Sequence, residues 1–415
     1  MKRAQQQSTL SNFVKRGKKI DDEIEEIESK EMTSLGQWEQ PNEDLIVFVP
    51  HDIEDRTKIA AFDMDGTLIT TKSGKVFPTD TFDWKFWSDS VVSKLKELHT
   101  TQETKLVIFT NQKGIKIKKV DKGAFKQKIE TIVKRAGVPI QVYISLGDGR
   151  YRKPMTGMWD HFVKCGNGEV AIDMESSVYV GDAAGRTATK SRPKKDHSSA
   201  DRLYAHNIGL PFQTPEQFFL KKKEEEPWGP LPFCPHEFNK KEKKLLEPED
   251  APLPASSQEI IVMVGFPGSG KSSFSKKLAA DHKYVVVNRD TLGTWQKCVA
   301  AARDALRAGK SVVVDNTNPD KESRKRYITL AKEMGDIPVR CFEMTSNMHH
   351  SSHNVKFRTL TRGGPDVSSM VLRMHASKLE SPSLAEGFSS IVRVNFIPEF
   401  DSEDDRKLYF SYLIE

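Results

Sequence analysis

The sequence predicts an α/β chain of two domains, each built on a parallel sheet, behind an unfolded tail. Three observations predict it. Apolar strand-like runs alternate with helix-like stretches from residue 45 to 219 and again from residue 259, the pattern of parallel α/β units. Composition breaks between them, where three lysines and three glutamates lead into seven prolines between Pro227 and Pro254. At 415 residues the chain also has the length for two or three domains of about 150 residues each.

The expected boundaries are a tail over 1–34, a first domain over 35–222, a Pro-rich linker or extended strap over 223–256, and a second domain over 257–415. The tail carries a basic run (Lys15, Arg16, Lys18, Lys19) and then an acidic block, Asp21 to Glu31, with seven acids against one lysine. It has too little apolar surface to fold alone. In the first domain the spacing predicts strands at Leu45–Val49, Lys58–Phe62, Lys105–Phe109, Gln141–Ser145 and Ser177–Val180. Helix-like stretches at Val91–Leu98, Phe125–Arg135 and Met158–Phe162 fall between them. Prolines at the density of the next segment deny the backbone its helix and ladder bonds. The second domain's strands are expected at Ile260–Val264, Tyr284–Val287, Ser311–Val314, Val339–Phe342 and Ile391–Phe396.

Several function classes are excluded. No apolar run approaches the ~20 residues of a membrane span, and Met1-Lys2-Arg3 leads into glutamines rather than a secretory h-region. Four cysteines without a CxxC pair argue against a disulfide framework or a zinc finger and fit a reducing compartment. The balance of 64 basic and 58 acidic residues permits a polyanionic partner without demanding one.

The first chemical pattern is Asp63-Met64-Asp65-Gly66-Thr67, at the end of the apolar run Ile59–Phe62. Ligands of open α/β sheets bind at the carboxyl ends of strands. There Asp63 can attack phosphorus and become an aspartyl-phosphate. Asp65 can protonate the leaving oxygen and later activate water. Both can hold Mg²⁺, Asp65 through its backbone carbonyl. The plainer reading is an Asx-turn with solvated acids. Three later positions weigh against it: Thr110 with Asn111 offers polar groups to a phosphoryl oxygen, Lys153 can neutralise charge, and Asp182 supplies another oxygen for Mg²⁺. In order and spacing these residues resemble the four motifs of the haloacid-dehalogenase superfamily of phosphatases. Only 46 residues separate Asp63 from Thr110 and 42 separate Thr110 from Lys153, too few for a lid domain, and an open site suits a polymer end. The common GDxxxD form is not kept, because Arg186 stands where the second acid belongs; Asp196 or Asp201 is left as its replacement.

The second pattern, Gly265-Phe266-Pro267-Gly268-Ser269-Gly270-Lys271-Ser272, matches G-x-x-x-x-G-K-[ST] between a strand and a helix. Backbone N–H groups of such a loop wrap phosphates at a helix N-terminus. Lys271 is expected on the β- and γ-phosphates of ATP, and Ser272 on Mg²⁺. Asp290 can take the proton from an attacking hydroxyl, and Asp315 is placed as a Walker-B acid. Ser351–Arg362 reads as a mobile polar lid that brings a cation, Arg358, to the transferring phosphoryl group. His349, His350 and His353 could suggest a metal, but no further ligand is near in sequence. Arg303, Arg324 and Arg326 are either phosphate contacts or solvated helix faces.

Together Lys58–Leu68, Val180–Arg186, Gly265–Ser272, Asn288–Trp295 and Asp315–Pro319 make the sequence similar to the polynucleotide kinase 3′-phosphatases of eukaryotic DNA repair. The resemblance spans roughly residues 35 to 400. It implies a haloacid-dehalogenase-like phosphatase followed by a P-loop NTPase-like kinase. Such an enzyme removes 3′-phosphates and adds 5′-phosphates at DNA breaks, using Mg²⁺ and ATP. It also implies that Asp63 is the nucleophile, Asp65 its acid/base and Asp290 the kinase base. The sequence departs from animal members at the N-terminus, where 34 residues are too few for their forkhead-associated domain. RNA end healing and a catalytically silent break-binding scaffold are the competing readings. A monomer without a membrane partner is expected.

In the tail, Lys2-Arg3 and Lys15-Arg16-Gly17-Lys18-Lys19 resemble a bipartite nuclear import signal, which places the protein in the nucleus. Gln7, Leu10 and Phe13 fit the Q-x-x-L-x-x-F of peptides that bind the DNA sliding clamp, with Val14 where a second aromatic is usual. A chance match in a Gln-rich tail is the alternative.

Overall fold

The computed structural model describes residues 34–190, 192–223, 228–231, 233–239, 243–364 and 366–415. The nuclear-import and clamp-binding patterns of the tail lie outside these residues. The chain divides into two compact units between positions 227 and 228. No helix among the described residues is long and apolar enough to cross a membrane.

The first unit holds strands β1 (Gly36–Asn42), β2 (Leu45–Pro50), β3 (Lys58–Phe62), β4 (Ile69–Thr70), β5 (Lys85–Phe86), β6 (Thr104–Asn111), β7 (Ile140–Ser145), β8 (Val178–Val180) and β9 (Phe212–Gln213). Seven of them form one sheet in the order β1-β2-β7-β6-β3-β8-β9, while β4 and β5 make a separate hairpin. The five strands from β7 to β9 run parallel, as the alternating pattern predicts. β1 and β2 are antiparallel, so the sheet is mixed rather than wholly parallel. The reason is local: two residues, Glu43 and Asp44, join β1 to β2, and so short a link allows only a hairpin.

Because side chains alternate along β3, Ala60 and Phe62 face the helices Ser90–Thr100 and Lys122–Ala136, packing with Val91, Leu95, Ile129 and Ile132. Ile59 and Ala61 face the other way, against Met158, Trp159 and Tyr204. Coverage on both faces explains why β3 reads as an unbroken apolar run. It also leaves the carboxyl ends of β3, β6 and β8 side by side.

The second unit contains β10 (Leu246–Glu247), β11 (Ile260–Val264), β12 (Val285–Val287), β13 (Val312–Val314), β14 (Val339–Met344) and β15 (Ser390–Val394). They are ordered β10-β15-β14-β11-β13-β12, and all neighbours except β10/β15 are parallel. The segment 223–256, expected as a linker or strap, therefore contributes an edge strand, and also the helix Pro235–Asn239. Leu246 is buried, and Arg340 Nη1 donates to the Pro252 carbonyl at 2.7 Å. Pairing is possible because Leu246 and Glu247 keep their N–H groups at a sheet edge, where flanking prolines are tolerated.

Two sequence expectations are overturned in this unit. Ser351–Arg362 is not a loop lid but most of the helix Met348–Arg362, with His350, Ser351, His353, Asn354 and Val355 buried. Its inward face is polar, with His350, His353 and Asn354 held by hydrogen bonds to Tyr409 and Gly268, so polarity alone reads as solvation. Arg324 is neither a phosphate contact nor a solvated residue. It is fully buried, paired with Glu386 through Nε and Nη2 at 2.8 Å each.

Candidate active sites

Asp63 directly follows β3, and its N–H donates to the Val180 carbonyl of β8 at 2.9 Å. Lys153, almost fully buried, donates to Asp63 Oδ1 at 2.6 Å, to Asp201 Oδ1 at 2.7 Å and to the Tyr179 hydroxyl at 2.9 Å. Tyr179 in turn donates to Asp201 Oδ1 at 2.9 Å, and Asp201 Oδ2 accepts the Ala183 N–H at 3.0 Å. Asp182 completes the group: one oxygen each from Asp63, Asp182 and Asp201 lie within 4.8 Å of one another. Gly66, at φ +88°, permits this approach, since a Cβ there would fall 2.5 Å from Asp182 Oδ2.

Three carboxylates thus share one ammonium out of water. Burial pushes the Asp63 carboxyl up to about 7 against the pull of Lys153. Burial, then Asp63 and Asp201, raise Asp182 well above the ordinary carboxylate range. Burial pushes the Lys153 ammonium down, but Asp201 and Asp63 outweigh it and leave it above the usual lysine value. The excess is negative, which fits a divalent cation. Asp201 spends both oxygens on Lys153, Tyr179 and Ala183, so Asp63 and Asp182 are the carboxylates left to hold one.

Asp65 lies exposed at the mouth. Gln112 Nε2 donates to Asp65 Oδ2 at 2.8 Å and to the buried Thr110 hydroxyl at 3.0 Å, while Lys128 Nζ lies 3.4 Å from Asp65 Oδ1. Asn111 does not share the role expected with Thr110. Its side chain clasps the Lys153 backbone, accepting from the N–H at 3.0 Å and donating to the carbonyl at 3.2 Å. Of the two candidate acids, Asp201 joins the cluster; Asp196 is taken up by Arg186, whose Nε and backbone N–H both donate to it at 2.9 Å. Between Asp63 and β6 the elements are the β4–β5 hairpin and the helix Ser90–Thr100. The hairpin starts against the motif, with the Gly66 N–H on the Ile69 carbonyl at 2.8 Å, and its loop exposes Val76, Phe77 and Phe82.

In the second unit, Gly265–Gly270 links β11 to the helix Lys271–His282, with Ser272 exposed in its first turn. Lys271 Nζ donates to the Gly265 carbonyl at 3.0 Å and the Phe266 carbonyl at 2.6 Å. Burial brings this ammonium down to about 8, opposed by Asp315 and Asp290. Asp315 directly follows β13, and Asp290 sits in the short helix Arg289–Leu292 that follows β12. Asn288 ties the two together: its Nδ2 donates to Asp315 Oδ2 at 3.0 Å and its Oδ1 accepts the Asp290 N–H at 2.7 Å. Arg358 is carried on the helix Met348–Arg362. His350 and His353 do not gather metal ligands; they pack on Phe233 and bond to Tyr409. Arg303 pairs with Glu333, and Arg326 lies on the Trp295 ring and pairs with Glu322.

Comparison with known proteins decides the family. A family described as polynucleotide kinase 3 phosphatase matches residues 58–219, and an AAA domain matches residues 260–294. The chain is 40% identical over 353 residues to the bifunctional polynucleotide phosphatase/kinase of Schizosaccharomyces pombe, covering 84% of this chain and 82% of that one. The chain belongs to the bifunctional polynucleotide phosphatase/kinases. A similar protein of Acanthamoeba polyphaga mimivirus, named as a putative bifunctional polynucleotide phosphatase/kinase, is 32% identical over 87% of this chain and 90% of its own. The polynucleotide 3′-phosphatase ZDP of Arabidopsis thaliana is 42% identical over 43% of this chain and 26% of its own. The protein is thus a polynucleotide 3′-phosphatase and 5′-hydroxyl kinase, its first unit haloacid-dehalogenase-like and its second P-loop-like.

Sequence reasoning missed Tyr179, Gln112, Lys128 and Asn288. One of them left a signal: Phe125, Lys128, Ile129 and Ile132 share the buried face of one helix, and a lysine on that face has to meet an acid.

The charge balance of the phosphatase unit yields a measurable consequence. Lys153→Met leaves three carboxylates without their counter-charge, and losing one partner of a buried ion pair costs about 3–5 kcal/mol. Amide exchange in β3 and β8 should accelerate accordingly at pH 7. Carboxyls raised above their unfolded values destabilise the fold at higher pH; the penalty shrinks as pH falls through the folded values and is gone only below the unfolded ones. Protection should therefore recover between pH 7 and 5. Equal protection in variant and parent at pH 7 contradicts this balance.

Proposed function

We propose that this enzyme restores DNA ends at strand breaks, removing 3′-phosphates in its first unit and phosphorylating 5′-hydroxyls from ATP in its second. What carries the reading is that each unit holds its own set of groups for phosphoryl transfer: Asp63, Asp65, Thr110 and Lys153 in one, Lys271, Asp290 and Asp315 in the other. A polymer end as substrate is supported by the open first site, with Asp65 exposed and the apolar residues Val76 and Phe77 displayed on the adjoining hairpin loop.

In the phosphatase, Asp63 attacks the 3′-phosphate to form an aspartyl-phosphate while Asp65 protonates the departing 3′-oxygen. Gln112 and Lys128 hold Asp65 towards the mouth. Thr110 offers its hydroxyl to a phosphoryl oxygen, and Lys153 favours the ionised form of Asp63 against its burial and orients it. Mg²⁺, held by Asp63 and Asp182 with the Asp65 carbonyl, would neutralise phosphoryl charge. In the kinase, the loop Gly265–Ser272 binds the ATP phosphates, with Lys271 on the β- and γ-phosphates and Ser272 and Asp315 serving Mg²⁺. Asp290 accepts the proton of the 5′-hydroxyl, and Arg358 approaches the transferring phosphoryl group.

A nicked DNA duplex bearing 3′-phosphate and 5′-hydroxyl termini tests the assignment, with a matched RNA duplex and an ATP-free arm. Asp63→Asn should abolish 3′-phosphate release and leave 5′-phosphorylation within about tenfold, a factor equal to ~1.4 kcal/mol of barrier. Lys271→Ala or Asp290→Asn should do the reverse. Loss of both activities in Asp63→Asn would contradict separate sites, and preference for the RNA duplex would replace DNA repair with RNA end healing.

The tail extends the proposal to the nucleus and, through Gln7, Leu10 and Phe13, to the sliding clamp of DNA polymerases. The supporting feature is the pair of basic clusters flanking that peptide. Deleting residues 1–19 should leave both activities intact and make the protein cytoplasmic. A peptide of residues 1–20 should bind the clamp saturably and lose binding with Leu10→Ala and Phe13→Ala. Nuclear retention of the truncated chain removes the first claim, and unsaturable binding removes the second.

A further inference from the structure

The helix Met348–Arg362 lies directly on the tip of the Gly-rich loop. Gly268 has φ +81°, and a Cβ there would fall 2.7 Å from the Ser351 carbonyl oxygen and 2.6 Å from Val355 Cγ2. At this contact Asn354 Nδ2 donates to the Gly268 carbonyl at 3.0 Å. The orientation of that amide is forced, since a carbonyl oxygen only accepts. Asn354 Oδ1 is therefore free to accept from the Tyr409 hydroxyl, which lies 2.8 Å away. A phenol has one proton. With that proton given to Asn354, the Tyr409 oxygen accepts from His350 Nε2 at 2.9 Å.

Two further contacts fix Tyr409. His353 Nε2 donates to its backbone carbonyl at 2.7 Å, and its ring stacks on Phe396, which packs against Gly270 of the same loop. The result is a one-way chain of donors, His350 to Tyr409 to Asn354, with the far end of the Asn354 amide giving its proton to Gly268. Burial brings His350 down to about 3, so the ring stays neutral at the head of this chain.

The other end of the 268–269 peptide is held as well, because the Ser269 N–H donates to the Phe266 carbonyl at 3.1 Å. With its oxygen on Asn354 and its N–H on Phe266, this peptide plane cannot rotate. A released Gly268 carbonyl could swing inward, where its negative end would oppose the phosphate oxygens that the loop's N–H groups serve. We propose that Asn354 is a positioning residue for nucleotide binding, and that Tyr409, at the end of the helix Glu403–Tyr409, sets it. The C-terminal helix of the kinase unit thereby fixes how tightly the loop holds ATP. This rests on the reading of Gly265–Ser272 as the ATP site.

The test uses the full chain and separates the Michaelis constants of the two kinase substrates. Asn354→Ala should raise KM for ATP about tenfold and leave KM for a 5′-hydroxyl oligonucleotide within twofold. Tyr409→Phe, which keeps the ring, should raise KM for ATP about threefold. Because the bonds act in series, the double variant should be no worse than Asn354→Ala alone. The 3′-phosphatase activity reports that the chain is intact, and Lys271→Ala is the reference for the loop. If Lys271→Ala still binds ATP like the parent, the reading of the loop fails, and the proposal with it. If Lys271→Ala loses ATP while Asn354→Ala keeps the parent KM, the proposal alone is overturned. Equal loss for both substrates, or additive losses in the double variant, also overturns it. Should Asn354→Ala not fold, Tyr409→Phe decides: an unchanged KM for ATP sinks the proposal.

Discussion

One buried ammonium holds the phosphatase site together. Lys153 bonds to Asp63, Asp201 and Tyr179 at once, and each of those partners comes from a different segment of the unit. Asn111, at the end of β6, fixes the Lys153 backbone, so the position of the charge is set by the sheet itself. The arrangement is costly in isolation, because burying several carboxylates around one lysine leaves net negative charge in a low-dielectric pocket. That imbalance is what suits the pocket to a cation. A cation there completes the electrostatics instead of adding to a neutral scaffold, and Gly66 keeps Asp182 close enough to take part.

The kinase unit solves a comparable problem with amides rather than charges. Asn288 spaces Asp290 from Asp315, and both carboxylates act on Lys271, whose ammonium burial would otherwise weaken further. Asn354 pins the loop from the opposite side. Amides suit this task because they donate and accept at fixed ends, so they define a direction without adding charge that would compete with a polyanionic nucleotide. In both units the candidate groups stand at or just beyond the carboxyl ends of adjacent parallel strands, which is where a parallel sheet leaves its backbone unpaired.

How far this was legible in the sequence depended on what kind of interaction made each feature. Strands such as Lys58–Phe62 and Ile260–Val264 were readable because burial on both faces leaves an apolar run. The direction of β1 and β2 was not, since apolar runs carry no polarity; only the two-residue link between them did. Asp63, Thr110 and Asp182 were singled out because polar residues stand out where a strand ends, and the structure gathers Asp63 and Asp182 with Asp201 and with Lys153 from the loop after β7. What escaped was polarity turned inward. The helix Met348–Arg362 buries histidines, a serine and an asparagine, and Arg324 buries a guanidinium on Glu386. From sequence, a satisfied buried polar group looks the same as a solvated one, because its partner lies far along the chain: Tyr409 for His350, Glu386 for Arg324. The strap over 223–256 escaped for a related reason, since its strand needs only two residues free of proline.

The central claim is that the carboxylates around Lys153 leave a negative excess that a divalent cation completes. Calorimetric titration of Mg²⁺ into the full chain, without nucleotide or DNA, tests it most directly when Asp182→Asn is run beside the parent. The account requires a saturable site in the parent that Asp182→Asn weakens by at least tenfold, with kinase activity retained as a sign of an intact chain. Mg²⁺ binding of equal strength in the two proteins would contradict it.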